Sequence, residues 1–463
     1  MKFLKYFVKR FGMHARLPKS CRINILLIGI LCWGPPAFAE TGTTNNLPQQ
    51  PTVFFPKSSL GPEDLAVIVN DADPLSVEIA QYYKIKRGIP DSNMIHISFT
   101  PGSTTMNQAE FTKIKATVDA KTPQQVQAFA LTWAKPYRVD CMSITTAFAA
   151  GFDKKFCADG CALTKPNPYF NSPSKTPYNN FKLRPTMSLA GADFAEVKKL
   201  IGRGVRADNT NPSGTGYLLD TTDKNRNVRA VQYDELFRYM HGIVKLKRVK
   251  ANLIENKTDV LFYFTGTAEV AKLANNTFIP GAIADHLTSA GGQLTDSFQM
   301  SILRWLEAGA SGSYGAVVEP CNYAEKFPVP GVILSYYTRG ETLIEAYWKS
   351  VAMPGQGIFV GEPLAKPYGG YKIELKRGDL TIKTQVLSPG FYSILAADSG
   401  IGPYRYVARG IPIRRGMQEV KLRNASQLFY RIVREFSIAK RGVIKASPTR
   451  WEGEVQIAND QND

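Results

Sequence analysis

The chain has 463 residues and a formal charge of +18, from 57 Lys and Arg against 39 Asp and Glu. That length can bury a large core and leave room for a second, smaller unit. No nucleic-acid motif accompanies the charge, which is read either as an attraction to anionic envelope material or as a solvated surface of mixed sign.

Much of the charge stands at the start. Residues 1–39 hold seven Lys and Arg and no Asp or Glu. A basic stretch (MKFLKYFVKR) leads to an apolar run from Ile23 to Trp33, and Ala37-Phe38-Ala39 precedes Glu40. This pattern predicts a secretory signal over 1–39. The run is too short to span a bilayer comfortably, and an uncleaved anchor is the alternative. Cleavage lowers the charge from +18 by seven to about +11 and leaves no expected transmembrane span. No Cys follows the cut closely, which argues against a lipid anchor.

Residues 40–59 (TGTTNNLPQQPT and beyond) read as a polar linker. From about Leu60 the chain alternates strands and helices. DLAVIVN (Asp64–Asn70) is a short apolar run of the kind buried in parallel sheets. PLSVEIAQYYKIKRGI follows as an amphipathic helix, and NMIHISF (Asn93–Phe99) as a second strand. Further strands are predicted at Gln127–Trp133, Gly214–Asp220, Asp259–Gly266, Ser313–Pro320 and Gly357–Pro363. Helices are expected over Tyr233–Val249, Gln299–Ala310 and Gly340–Val351. Strands separated by helices predict an α/β domain over 60–370 with a mostly parallel sheet and flanking helices. An aperiodic, Pro- and Asn-rich insertion near 148–185 interrupts it. After Gly370 short strands recur at regular spacing, which predicts a β-sandwich-like domain over 371–435 and a tail over 436–463.

Four Cys lie beyond the signal: Cys141, Cys157, Cys161 and Cys321. In an exported chain they predict two disulfides. CADGC suggests a local Cys157–Cys161 bridge, leaving Cys141 to pair with Cys321. A metal reading is less well supported, because the spacing is CxxxC and no His lies near it.

The segments NDADPLSVEIAQYYKIKRGIP, DHLTSAGGQL, MSILRWLEAGASGSYGAVVEPC and GETLIEAYWKSVAMPGQGIFVGEPLAKPY resemble an uncharacterised family of exported bacterial proteins. The family occurs mainly in bacteria with the exosortase sorting and exopolysaccharide system, and the resemblance spans about residues 50–370. It implies a periplasmic, cell-surface or secreted location in a Gram-negative bacterium. The order of strands, helices, GASGSYGAVVEP and IFVGEPLA also resembles that of gingipain-like and caspase-like cysteine peptidases. That second resemblance implies a caspase-like fold with a catalytic His after one strand and a Cys after the next. This chain has Thr265-Gly266-Thr267 and Thr288-Ser289 there, so neither half of the dyad is present.

Several carboxylates and one His remain as candidates. Asp71 and Asp73 follow the first strand, where open α/β sheets bind ligands. Pro74 makes the alternative, an Asp cap on the next helix, the simpler reading. In GAIADHLTSAGGQL, Asp285, His286 and Ser289 suggest hydrolase chemistry, and the competing reading is a helix N-terminus capped by Thr288 and Ser289. Glu319 and Glu362 also follow strands. Asp71, Asp73, Asp285, His286, Glu319 and Glu362 are expected on one edge of the sheet, where they could form an acidic pocket with one His. Asp71, Asp73, Glu319 and Glu362 offer oxygen ligands compatible with a divalent cation, and no organic cofactor is expected. The function expected is a non-catalytic envelope or exopolysaccharide-pathway factor with acidic polysaccharide or envelope proteins as partners and no nucleic acid. The alternative is a hydrolase of peptide or glycan that uses the carboxylate–His edge.

Overall fold

A computed structural model describes residues 50–158 and 160–435. The spans read as a signal, as the first half of a linker and as a tail after residue 435 lie outside the described residues. Ten strands, numbered in chain order, form the central sheet. They are β1 Leu65–Asn70, β2 Met94–Ile97, β3 Ala128–Leu131, β4 Thr186–Ser188 and β5 Thr215–Leu219. β6 Lys245–Val249, β7 Val260–Gly266, β8 Phe278–Leu287, β9 Gly312–Ala316 and β10 Gly357–Gly361 follow. Their order across the sheet is β6-β5-β7-β8-β9-β10-β4-β3-β1-β2. Neighbours from β6 to β9 are parallel, as are those from β4 to β2. β10 runs antiparallel to β9 and meets β4 at one pair, Val360 and Ser188.

Both faces of the sheet are covered. In β1, Leu65, Val67 and Val69 enter one hydrophobic cluster and Ala66 and Ile68 the other. Helices Pro74–Arg87, Phe194–Ala207, Tyr233–Met240, Pro330–Tyr337 and Leu343–Ser350 pack into the first. Helices Gln108–Lys121, Ile144–Ala150 and Leu303–Ala308 pack into the second. The mixed α/β architecture is the one the sequence predicts.

Two elements differ from expectation. The helix from Tyr233 stops at Met240, Gly242 turns the chain at φ +73°, and KLKRV becomes the edge strand β6. Lys245, Lys247 and Arg248 keep this free edge charged, which opposes pairing with other chains. GAIADHL is not a helix start either. It is the second half of β8, which bends at Gly281 (φ +90°), a conformation that favours glycine, with Pro367 and Ala207 3.0 and 3.1 Å from where a Cβ would stand.

The C-terminal strands form two small sheets around their own core of Leu380, Ile382, Tyr392, Ile394, Tyr430 and Ile432. Thr52–Phe54, within the span read as linker, is a strand here and runs parallel to Phe429–Arg434. Among the described residues no helix is long and apolar enough to cross a membrane.

Two disulfides are present, and their pairing corrects the expected one. Cys141 bonds Cys157, and Cys161 bonds Cys321. Cys157 and Cys161 are drawn to two different anchors. Cys141 sits in the turn between Arg138–Val139 and Met142–Ser143, beside the short helix Lys154–Phe156 whose buried Phe156 fixes Cys157. On the other side, Tyr323 Oη donates to the Cys161 carbonyl at 3.1 Å and brings Cys161 to Cys321. Non-reducing peptide mapping should return these two pairs with no free thiol among the four. The bridges close separations of 16 and 160 residues. Removing Cys161 and Cys321 together should therefore cost about 5 kcal/mol, against about 3 for Cys141 and Cys157. The reverse order in chemical denaturation would refute this reading.

Candidate functional site

The register pairs Thr265 with His286 and Gly266 with Leu287. Thr265-Gly266-Thr267 and Thr288-Ser289 therefore stand side by side at the carboxyl ends of β7 and β8. Most of their polar groups are committed to structure, although the buried Thr265 hydroxyl has no hydrogen-bond partner among the described residues. The Thr265 carbonyl accepts from Arg229 Nη2 at 2.8 Å, and the Gly266 carbonyl accepts from Thr221 Oγ1 at 2.7 Å. A Cβ on Gly266 would lie 2.0 Å from the Arg226 carbonyl oxygen, so no side chain fits. Thr288 Oγ1 donates to Gln299 Oε1 at 2.7 Å and accepts from Arg226 Nε at 3.0 Å. Gln299 Oε1 also takes the Ala290 N–H at 2.9 Å. Ser289 is half-buried in the loop after β8 and caps no helix.

Asp285 and His286 are successive strand residues and point into opposite cores. His286 is fully buried. Its Nδ1 accepts from the Trp305 indole at 2.9 Å, which assigns the proton to Nε2, and Nε2 donates to the Met300 carbonyl at 3.0 Å. Burial pushes its pKa down to about 3. Both ring nitrogens are occupied, so this imidazole has no free atom with which to act as a base.

Asp285 is 1% exposed and lies 2.6 Å from Arg229 Nη1. Burial raises its carboxyl pKa, and Arg229 opposes the rise. The ion contact is close but out of line for a hydrogen bond, and both carboxylate oxygens lack one.

The remaining candidates do not join them. Asp73 is a helix cap, its Oδ1 accepting from Leu75 N–H at 3.0 Å. Asp71 pairs instead with His96 of β2, Nδ1 to Oδ1 at 2.6 Å, in an exposed position. β1 stands five places from β8 in the sheet, roughly 24 Å at the usual strand spacing. Glu319 accepts from the Cys321 N–H at 2.7 Å. Glu362 lies at the other end of the sheet, because β10 is antiparallel and the Glu362 N–H donates to the Ser311 carbonyl before β9. There it is fully buried under Arg87 and Tyr83. The single acidic pocket expected from the sequence is not assembled. Among the described residues no group of three or more His, Cys, Asp or Glu could hold a metal ion.

A cavity of about 410 Å³ opens where β5 and β6 end. Its Asp220 is held below the ordinary carboxylate range by hydrogen bonds from Arg248 and Asn227. Thr222 and Asn252 bond each other across it.

No protein-family model matches the chain, and no curated protein matches it. Solved structures similar to it include the complex of Porphyromonas gingivalis RgpB pro- and mature domains, at 9% identity and a TM-score of 0.37 over 78% of this chain and 94% of that one. Another is described as the structure of a protease, at 12% identity and a TM-score of 0.33 over 82% and 98%. These likenesses are distant, and the architecture rests on the elements described above.

The sequence reading missed His96, Arg226, Arg229 and Gln299. His96 alone had a visible signal. Once DLAVIVN and NMIHISF are neighbouring parallel strands, a His near the end of one falls beside an Asp after the other.

Two measurements test the buried histidine and the loop serine. The unfolded His286 binds a proton below about pH 6.5, and the folded one does not until about pH 3. Its contribution is therefore complete above pH 6.5 and declines as pH falls, by about 1.4 kcal/mol per pH unit. His286→Asn keeps an acceptor for Trp305 and removes this slope. The stability gap between wild type and variant should narrow from about pH 8 to about pH 4, and a constant gap would mean the folded imidazole takes up protons. Ser289→Ala should change stability by less than about 0.5 kcal/mol, and a loss of a kilocalorie or more would restore the capping role.

Proposed function

We propose that this protein acts without catalysis, as an exported envelope or exopolysaccharide-pathway factor on a peptidase-like α/β fold. The observation that carries the reading is the use made of the two adjacent strand ends. A nucleophile and its base need free atoms within hydrogen-bond reach of each other. Here Thr288 is held between Arg226 and Gln299, and His286 is closed in by Trp305 and Met300. The two disulfides fit an oxidising compartment, in line with the export signal in the sequence.

A second reading has one observation in its favour. Asp71 and His96 form an exposed carboxylate–imidazole pair on the other half of the sheet, the arrangement that orients a general base. A hydrolase would work there and not at Ser289.

Purified protein should release no product from peptide or polysaccharide substrates above the buffer blank. It should also resist labelling by thiol-reactive peptide probes. Turnover abolished by His96→Ala and untouched by Ser289→Ala would replace the proposal with the second reading.

A further inference from the structure

A second, larger cavity than the one at the ends of β5 and β6 lies away from the strand ends. A groove of about 860 Å³ runs between the α/β domain and the C-terminal strands, near the upper limit of a small-molecule site. Phe170, Leu236, Val329 and Val332 line it from one side, and Pro389 and Ile413 from the other. Arg339, Arg414, Arg415 and Arg434 stand around this apolar floor. Among the described residues, none of the four has a carboxylate within 4.0 Å. Two lie over aromatic rings, Arg415 at 3.9 Å from the centre of Tyr239 and Arg339 at 4.5 Å from that of Tyr336. A guanidinium stacked in this way keeps its N–H edge free for a carboxylate.

We infer that this groove binds an acidic, partly apolar peptide segment of a partner protein. The floor requires apolar side chains, and the arginines require carboxylates. The walls also bear Glu235 and Glu325. A third carboxylate, Glu341, is already neutralised by Lys175 and Lys349. Glu235 and Glu325 repel a polymer charged at every unit, whereas a peptide can space its acids around them. A polysaccharide also finds the two tyrosine faces here taken, because Arg415 covers Tyr239, and Arg339 and Lys349 cover Tyr336. One acceptor is left over on the wall. Gln232 Oε1 is buried without a partner, and a peptide N–H would satisfy it.

The inference goes beyond the non-catalytic reading, and its test measures binding alone, so the two can fail separately. Fluorescence anisotropy on the purified protein would use a labelled synthetic peptide of alternating Glu and Leu and its Gln and Leu counterpart. The acidic peptide should bind saturably and more weakly as salt rises. The neutral one should bind at least about tenfold more weakly. Arg414→Ala with Arg415→Ala should weaken the acidic peptide about tenfold at an unchanged melting temperature. Arg339→Gln supplies the same readout if that pair fails to fold. Equal binding of the two peptides, no saturable binding, or affinity indifferent to these substitutions would overturn the inference. Binding of polygalacturonate through the same arginines, with no binding of the peptide, would overturn it in favour of a glycan.

Discussion

Strands buried on both faces must send successive side chains into different cores. In β1 this costs nothing, since every residue before Asn70 is apolar. In β8 the same rule falls on Asp285 and His286. Adjacent in sequence, they are separated by the sheet itself, one beside Arg229 and the other beside Trp305. They cannot work as an acid–base pair. Each polar group so buried needs a partner brought from elsewhere in the fold. That need fixes Arg229, Trp305 and the Met300 carbonyl. Gln299, next to Met300, then ties the loop after β8 to Thr288.

The energetics favour permanence over net gain. Burial and Arg229 act on the Asp285 carboxyl in opposite directions, and such a pair adds little beyond what apolar residues would supply. Losing one partner strands the other, at about 3–5 kcal/mol. Glu362 and Arg87 repeat the arrangement at the opposite end of the sheet, with Tyr83 and Asp208 completing the contacts. These pairs hold helix and strand ends in one register. The carboxylates that looked like a catalytic set in the sequence are, for the most part, the fastenings of the fold.

The seven strands that sequence periodicity located are all strands, because runs such as LAVIVN and VLFYFTG have no other way to be buried. The three it missed each break a local rule. Thr186–Ser188 is only three residues long. Lys245–Val249 carries the charges of a free edge. Phe278–Leu287 contains Pro280-Gly281 and ends in Asp285-His286-Leu287, which reads as a turn until helices supply partners on both faces. Locations on the chain were therefore legible, and convergence was not. The antiparallel turn of β10, which sends Glu362 to the far edge, is a tertiary choice, and so is the splitting of CADGC between Cys141 and Cys321.

The arginines divide along the same line between fastening and surface. Arg87 and Arg229 meet buried carboxylates. Arg203 has none among the described residues, and it donates to the Leu306 and Ala310 carbonyls at the end of a helix. The desolvation that this costs pulls its pKa down to about 10. Arg184 lies across Tyr178 and donates to the Val126 carbonyl. Each of these guanidiniums is buried and completes a backbone or carboxylate need that the fold creates. At the seam with the C-terminal strands the relation is reversed. Arg339 and Arg415 are held over Tyr336 and Tyr239, a cost in side-chain freedom, yet they meet no carboxylate of the described chain. Orientation without a charge partner is what preorganisation for an external anion requires. The fold thus spends most of its strand-end polar groups on itself and leaves oriented, uncommitted charge at the seam with the C-terminal strands.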